Sequence, residues 1–564
     1  MKKFIKVFFN VIRSYSLEER VISLVLMFAL VFSGVKSVQY IINPYSVFAD
    51  SGFYTEAHLA TKPVLLNPVY NDLALANREI SASIFSGLMK YDSKVKGFVD
   101  DLGTLTISED KKEYVFKIKE GVNWHDGELF TVDDVIFTYK DVIQNPVFQN
   151  PVVKANFVGV QIEKIDDQSM KFVLERPNSF FITNLNIGIL PKHLLAEVSV
   201  ESLPAAEFNL RPVGTGPYKV DSPLEIFDNG EQRVTVVLNE DYYGAKPQIS
   251  RIRFMIFPDE TSLVRQRAAI NIVPRAVTSM TDLLNDPRFS ISTYSLPQYT
   301  AVFFNTKDAV LKNQKVRLGL IKSIDKDSLV GGIENKQRVD TPLMDLSQEE
   351  WINKTDQKEA AGAFFDAGYG FKKDDQGNIL EGEKYRKDKE DKVFEITLVA
   401  RQYDEGSYLA EETKQTTDFL INAWEANGVK INLKLLAEGE YLEAIKNKDY
   451  QMILAGQTMA YNLDTFPYWH SSQAKVGGLN LSNYQSFAAD QQIEKIRETF
   501  DEEDRTERRT KLAETISDDA PALFLYRPKY LFASDGKVKN IDLENLSFAS
   551  DRFGSEASWC IKNC

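Results

Sequence analysis

Tyr114-Val115-Phe116-Lys117-Ile118-Lys119 leads into Gly121-Val122-Asn123-Trp124-His125-Asp126-Gly127 and then into Thr131-Val132-Asp133-Asp134-Val135-Ile136-Phe137. The first run alternates apolar and polar side chains, the period of a half-buried strand. Asp126-Gly127 signals a turn, because glycine reaches positive φ without a steric penalty. Thr131 followed three residues later by Asp134 is a capping pattern that satisfies donors at a helix start. Val135, Ile136, Tyr139, Val142 and Ile143 then share one helical face, and Pro146 ends it. A strand, a turn and a capped helix follow from these residues. An activity does not.

The composition narrows the field. The chain has 564 residues, enough for more than one sizeable core, with 43% hydrophobic and 26% charged residues as in folded soluble proteins. A net charge of −14 argues against nucleic acid, since no basic excess exists to neutralise phosphates. Two cysteines and four histidines offer no zinc-binding spacing, so no metal and no cofactor is expected. Cys560 and Cys564 are close enough in sequence to form a small disulfide outside the cell, though spacing alone leaves this open.

The N-terminus reads as a membrane tether. Residues 21–35 (VISLVLMFALVFSGV) are uncharged and apolar, and a snorkelling Lys36 lets the run extend to Ile42. Lys2, Lys3, Lys6, Arg13 and Arg20 precede it, which places residues 1–20 in the cytoplasm and the bulk of the chain outside. Phe4, Val7, Phe8, Val11, Ile12 and Tyr15 fall at helical spacing, suited to a helix lying on the inner membrane surface. A long signal peptide cleaved at Val47-Phe48-Ala49 is the competing reading, but the apolar run ends well before Ala49.

The motifs form an ordered series. Leu66-Asn67-Pro68, Gly87-Leu88-Met89-Lys90-Tyr91-Asp92, the Gly121–Gly127 and Thr131–Thr138 phrases, Ile189-Leu190-Pro191-Lys192-His193, Gly214-Thr215-Gly216-Pro217-Tyr218 and Phe304-Asn305-Thr306 occur in turn, then Val316-Arg317 and Ile324-Asp325-Lys326. Together they resemble the signatures of the peptide-type (family 5) extracytoplasmic solute-binding proteins of ABC importers for peptides, dipeptides and nickel chelates. The resemblance implies an α/β, bilobed periplasmic-binding-protein-like fold with an extra subdomain, preceded here by one transmembrane helix. The implied division is a cytoplasmic basic segment (1–20), anchor (21–42), linker (43–51), lobe I (52–298, with an accessory subdomain at 79–204), lobe II (299–521) and a return to lobe I (522–564). Crossings are expected near residues 299–304 and 523–527.

The implied function is non-enzymatic: capture of an oligopeptide or related polar ligand between the lobes and its delivery to ABC permease and ATPase subunits, by an ectodomain expected to be monomeric. The alternative is a ligand-sensing surface receptor not coupled to transport. His125-Asp126 reads as scaffold rather than as a catalytic pair, and Pro217 spoils Gly214–Gly216 as a phosphate loop. Family members hold the peptide amine with an Asp in an "A-D-Y-x-x-P" phrase. The matching stretch here is Gln457-Thr458-Met459-Ala460-Tyr461-Asn462-Leu463-Asp464-Thr465-Phe466-Pro467-Tyr468-Trp469-His470, with Ala460 where that Asp would stand. The expected ligand-binding residues are therefore Asp464, Tyr461 and Trp469, with Tyr299 and Tyr526 beside the crossings and Glu56 on the first strand.

Overall fold

A computed structural model of the protein describes residues 53–564, except 74, 352, 353, 460, 462, 562 and 563, together with Ser16. The expected tether at 21–42 and linker at 43–51 lie outside the described residues, as does the 1–20 segment apart from Ser16. Among the described residues no helix is long and apolar enough to cross a membrane.

A mixed sheet runs the length of the molecule in the order Lys430–Leu436, Glu395–Arg401, Met452–Thr458, Gln298–Phe304, Ala522–Ser534, Ile272–Ala276, Phe53–Leu59, Arg251–Phe257, Gln232–Leu238 and Tyr218–Ile226. The Ala522–Ser534 strand belongs to both halves. Its residues 522–526 pair with Gln298–Phe304, and its residues 529–534 pair with Ser290–Ser295. The chain thus passes between the halves at residues 296–297 and again within this one strand at 527–528.

In the second half, Glu395–Arg401 lies parallel to Lys430–Leu436 along its whole length. It meets Met452–Thr458 only at Leu398↔Met452 and Val399↔Ile453. Parallel neighbours need helical crossovers, and Tyr408–Ala426 and Glu438–Asn447 provide them. Trp424, buried on the first of these helices, packs beneath the sheet and donates its indole N–H to the Leu320 carbonyl (2.9 Å).

The opening stretch of the sequence builds a separate four-stranded sheet, Gly103–Ile107, Glu113–Ile118, Ser169–Val173 and Gln161–Lys164. Tyr114 and Phe116 point inward as their alternation requires, into a core with Trp124, Tyr139 and Phe172. Tyr139 meets Phe172 edge-on at 5.2 Å, a pairing worth about 0.5–1.5 kcal/mol beyond the area it buries. The helix after Thr131 departs from its pattern: it is α-helical over Val132–Ile136 and π-wound over Phe137–Ile143. The Thr138 hydroxyl donates to the Asp134 carbonyl (2.8 Å) and so competes for the acceptor that α-winding uses.

Four of the sequence motifs converge on one knot. His125 accepts from the Gly214 amide at Nδ1 (3.1 Å) and donates from Nε2 to the Gly216 carbonyl (3.0 Å). Asp126 turns away to His193, 2.8 Å distant. Gly216 donates to the Ile84 carbonyl (2.9 Å), and a Cβ there would stand 2.6 Å from that carbonyl group, so only glycine allows the approach. Asp134 accepts from the Thr131 amide and hydroxyl and from the Lys192 amide, each at 2.9 Å. Burial pulls the His125 pKa down to about 4, so the ring is neutral near pH 7.

Candidate functional site

A cavity of about 600 Å³ opens between the two halves. From the first half come Ala276, Val277 and Thr278; from the second come Lys336, Arg401 and residues 454–458; Tyr526 and Tyr530 arrive on the shared strand. Its volume lies in the range of small-ligand sites. The parallel strands Glu395–Arg401 and Met452–Thr458 end at it, the position where open α/β sheets bind ligands.

One wall is an open strand edge. Met452–Thr458 pairs with Gln298–Phe304 at every position, but its other edge is covered only at Met452 and Ile453. The Leu454 carbonyl, on that uncovered edge, accepts from the Tyr441 hydroxyl (2.8 Å). Strand alternation then directs the Gly456 amide and carbonyl to the same edge. Gly456 and Thr458 are exposed on it. The Thr458 carbonyl accepts from the Tyr468 hydroxyl (2.8 Å), so the main-chain groups left for a partner centre on Gly456, where no side chain blocks an extended peptide laid alongside.

The polar wall is arranged around tyrosines. Lys336 donates to Glu412 (2.7 Å) and to the Tyr408 hydroxyl (2.8 Å), and Tyr526 donates to Glu412 (3.1 Å). Burial lowers the Lys336 pKa against the opposing pull of Glu412. Arg401 reaches Glu438 at 3.3 Å and lies over the Tyr403 ring at 4.7 Å.

The expected site residues separate into five places. Tyr299 and Tyr526 line the cavity. The Tyr299 hydroxyl donates to Gln457, and the Tyr526 hydroxyl also bonds Thr416 at 2.8 Å. Tyr461 reaches across to the first half, where its ring meets Tyr91 (5.0 Å), Phe98 (5.2 Å) and Phe548 (4.8 Å). Its hydroxyl donates to Asp551 at 2.6 Å, and burial raises that carboxyl to about 6 despite this bond. Trp469 is 1% exposed and packs against Phe303, Phe524 and Tyr484 in the core.

Asp464 lies in a different crevice, of about 310 Å³, between the four-stranded unit and the second half. There its carboxylate accepts two N–H bonds from Arg497, at 2.7 and 2.9 Å. Glu56 is wholly buried in a charge cluster with His58 (2.9 Å) and the Arg552 guanidinium, which also binds Glu79. Glu56, His58 and Glu79 are close enough to hold a cation. The two guanidiniums of Arg552 and Arg275 already fill that role and, against burial, hold Glu79 down to about 2. Ala460 lies outside the described residues.

Lys336, Arg401, Tyr403, Tyr408, Glu412 and Gly456 were not singled out from the sequence. Tyr408 and Glu412 stand four apart on a capped helix, the spacing of neighbours on one face. The strand that pairs Lys336 with Pro528, however, is set only by the fold.

The model of the bacterial extracellular solute-binding proteins, family 5, matches residues 69–478. The oligopeptide-binding protein AppA of Bacillus subtilis is 26% identical over 89% of this chain and 90% of its own length. The dipeptide-binding protein of Escherichia coli is 25% identical over 74% of this chain and 78% of its own. The crystal structure of NikZ from Campylobacter jejuni with Ni(L-His) superposes with a TM-score of 0.72 at 24% identity, covering 90% of this chain and 99% of that one. The chain belongs to the bacterial extracellular solute-binding proteins of family 5.

Proposed function

We propose that this protein is the extracytoplasmic solute-binding component of an ABC importer, and that it captures a peptide or peptide-like ligand between its lobes and hands it to a permease and ATPase pair. The open edge at residues 454–458, facing an interlobe cavity, is the observation that carries this reading. An edge of that length spans about 13 Å at 3.3 Å per residue, room for a short extended chain. The relatives named above for oligopeptide and dipeptide binding support the ligand class.

Lobe I would comprise 52–298 and 522–564, with 79–204 as its accessory subdomain, and lobe II would comprise 299–521. Contacts such as Tyr461–Asp551 join the lobes in this structure, and a ligand that touches both walls would shift the equilibrium toward the arrangement that holds them together. The chain catalyses no reaction. An apolar segment at 21–42 would hold it in the membrane with its N-terminus inside; carbonate-resistant sedimentation with membranes tests that point, and release into the soluble fraction would refute it.

The central test is Gly456→Pro in the full chain, purified in detergent and screened by melting temperature against free and N-acetylated dipeptides to hexapeptides. Proline removes an edge donor without touching the Gln298–Phe304 ladder. Peptides should raise the melting temperature of the parent and not of the variant. Equal shifts in both would exclude the edge as the binding wall.

A further inference from the structure

Taking the interlobe cavity as the ligand site, we propose that it selects an extended peptide-like ligand that carries a carboxylate and has no free amino terminus: an N-acylated or otherwise N-blocked anionic peptide. Among the described residues that line the cavity, the charged side chains are Lys336, Arg401, Lys529 and Glu412. Three cations thus face one carboxylate. That carboxylate is already engaged, by the Lys336 ammonium at 2.7 Å and the Tyr526 hydroxyl at 3.1 Å.

The acid next in line, Glu438, is shared between Arg401 (3.3 Å) and Lys62 (3.7 Å). Arg401 Nε is buried with no acceptor among the described residues. Lys529 is exposed, with its backbone fixed by a bond to the Asn335 carbonyl (2.7 Å). Neither position 460 nor 462 supplies an acid, being Ala and Asn. Asp464 is turned into another crevice and bound by Arg497.

A free ammonium entering this space would lose its water and meet the Arg401 and Lys529 cations, with no unengaged carboxylate among the described lining residues to receive it. That is the costly arrangement for a charge. A ligand carboxylate meets the reverse: the Arg401 guanidinium and the exposed Lys529 ammonium, two cations that can receive it. The blocked end needs only main-chain partners, which the edge at Gly456 supplies.

The test uses the full chain in detergent with a randomised tetrapeptide pool in three forms: free, N-acetylated, and N-acetylated with a C-terminal amide. Retained peptides are quantified by mass spectrometry. The N-acetylated acids should be retained at least tenfold over both other forms. Arg401→Gln should erase the preference over the amide, and Arg401→Lys should restore part of it, which separates charge from folding. Equal retention of free and acetylated acids, a preference for free amines, or retention of none of the pools would overturn the proposal. If Gly456→Pro abolishes retention while the parent shows no preference between forms, the cavity remains the binding site and the charge selection is wrong. If Gly456→Pro leaves retention unchanged, the cavity reading falls and the selection with it.

Discussion

The Gly121–Thr138 stretch and the Gly456–His470 stretch carry similar residues: each has a tryptophan, a histidine, at least one aspartate and at least one glycine. They differ in how completely their polar groups are answered. In the first, both His125 nitrogens bond backbone and Asp134 takes three donors, leaving nothing for a ligand. In the second, the strand carrying Gly456 turns an uncovered edge toward the cavity. Residue type alone did not distinguish scaffold from site; the saturation of hydrogen bonds does.

The sharpest way to break this contrast is within the second stretch itself. Trp469→Ala should destabilise the fold by about 3–5 kcal/mol, the cost of an emptied core position, and leave peptide affinity of the folded fraction unchanged. Urea unfolding and peptide titration read the two separately; weakened binding at an unchanged unfolding midpoint would move Trp469 to the ligand side. Asp464→Ala strips Arg497 of its partner and should cost about 2 kcal/mol, less than a fully buried pair because the guanidinium is partly exposed. A tenfold drop in peptide affinity would instead return Asp464 to a ligand-binding role.

His125 sharpens the scaffold side. Its folded pKa, about 4, lies below the unfolded 6.5, so the unfolded chain takes up the proton first. The stability it contributes is complete above pH 6.5 and is lost as the pH falls toward 4, about 2 kcal/mol once the ring's partial exposure is allowed for. His125→Gln should flatten that part of the urea-midpoint profile without altering peptide binding. An unchanged pH slope would contradict the neutral, backbone-bound ring. The smallest effect is expected from Tyr461→Phe: loss of the bond to Asp551 removes about 1 kcal/mol from the closed form, near a fivefold weakening of affinity. No change would mean the contact does not bias closure.

Much of the fold was legible because periodicity is local. The alternation over residues 114–119 and the capped helix after Thr131 both stand where the pattern put them. The π-winding was not legible, since it turns on where one hydroxyl bonds. Tyr299 and Tyr526 line the cavity, a position readable from their nearness to the crossings. Asp464 stands four residues from Ala460 in the sequence, but Leu463 takes a left-handed φ of 51° and the chain turns there. Glu56 finds its cation in Arg552, at the far end of the chain, a partner no local pattern announces.

The strand Ala522–Ser534 makes a wall of the cavity and the link between the two halves one continuous piece of backbone. On the proposed lobe division, swinging the lobes apart would twist it near residues 527–528, between Tyr526 and Tyr530, which both border the cavity. The strand then works as a torsion bar with the ligand's own supports mounted on it. Opening the molecule and loosening its grip are a single mechanical event.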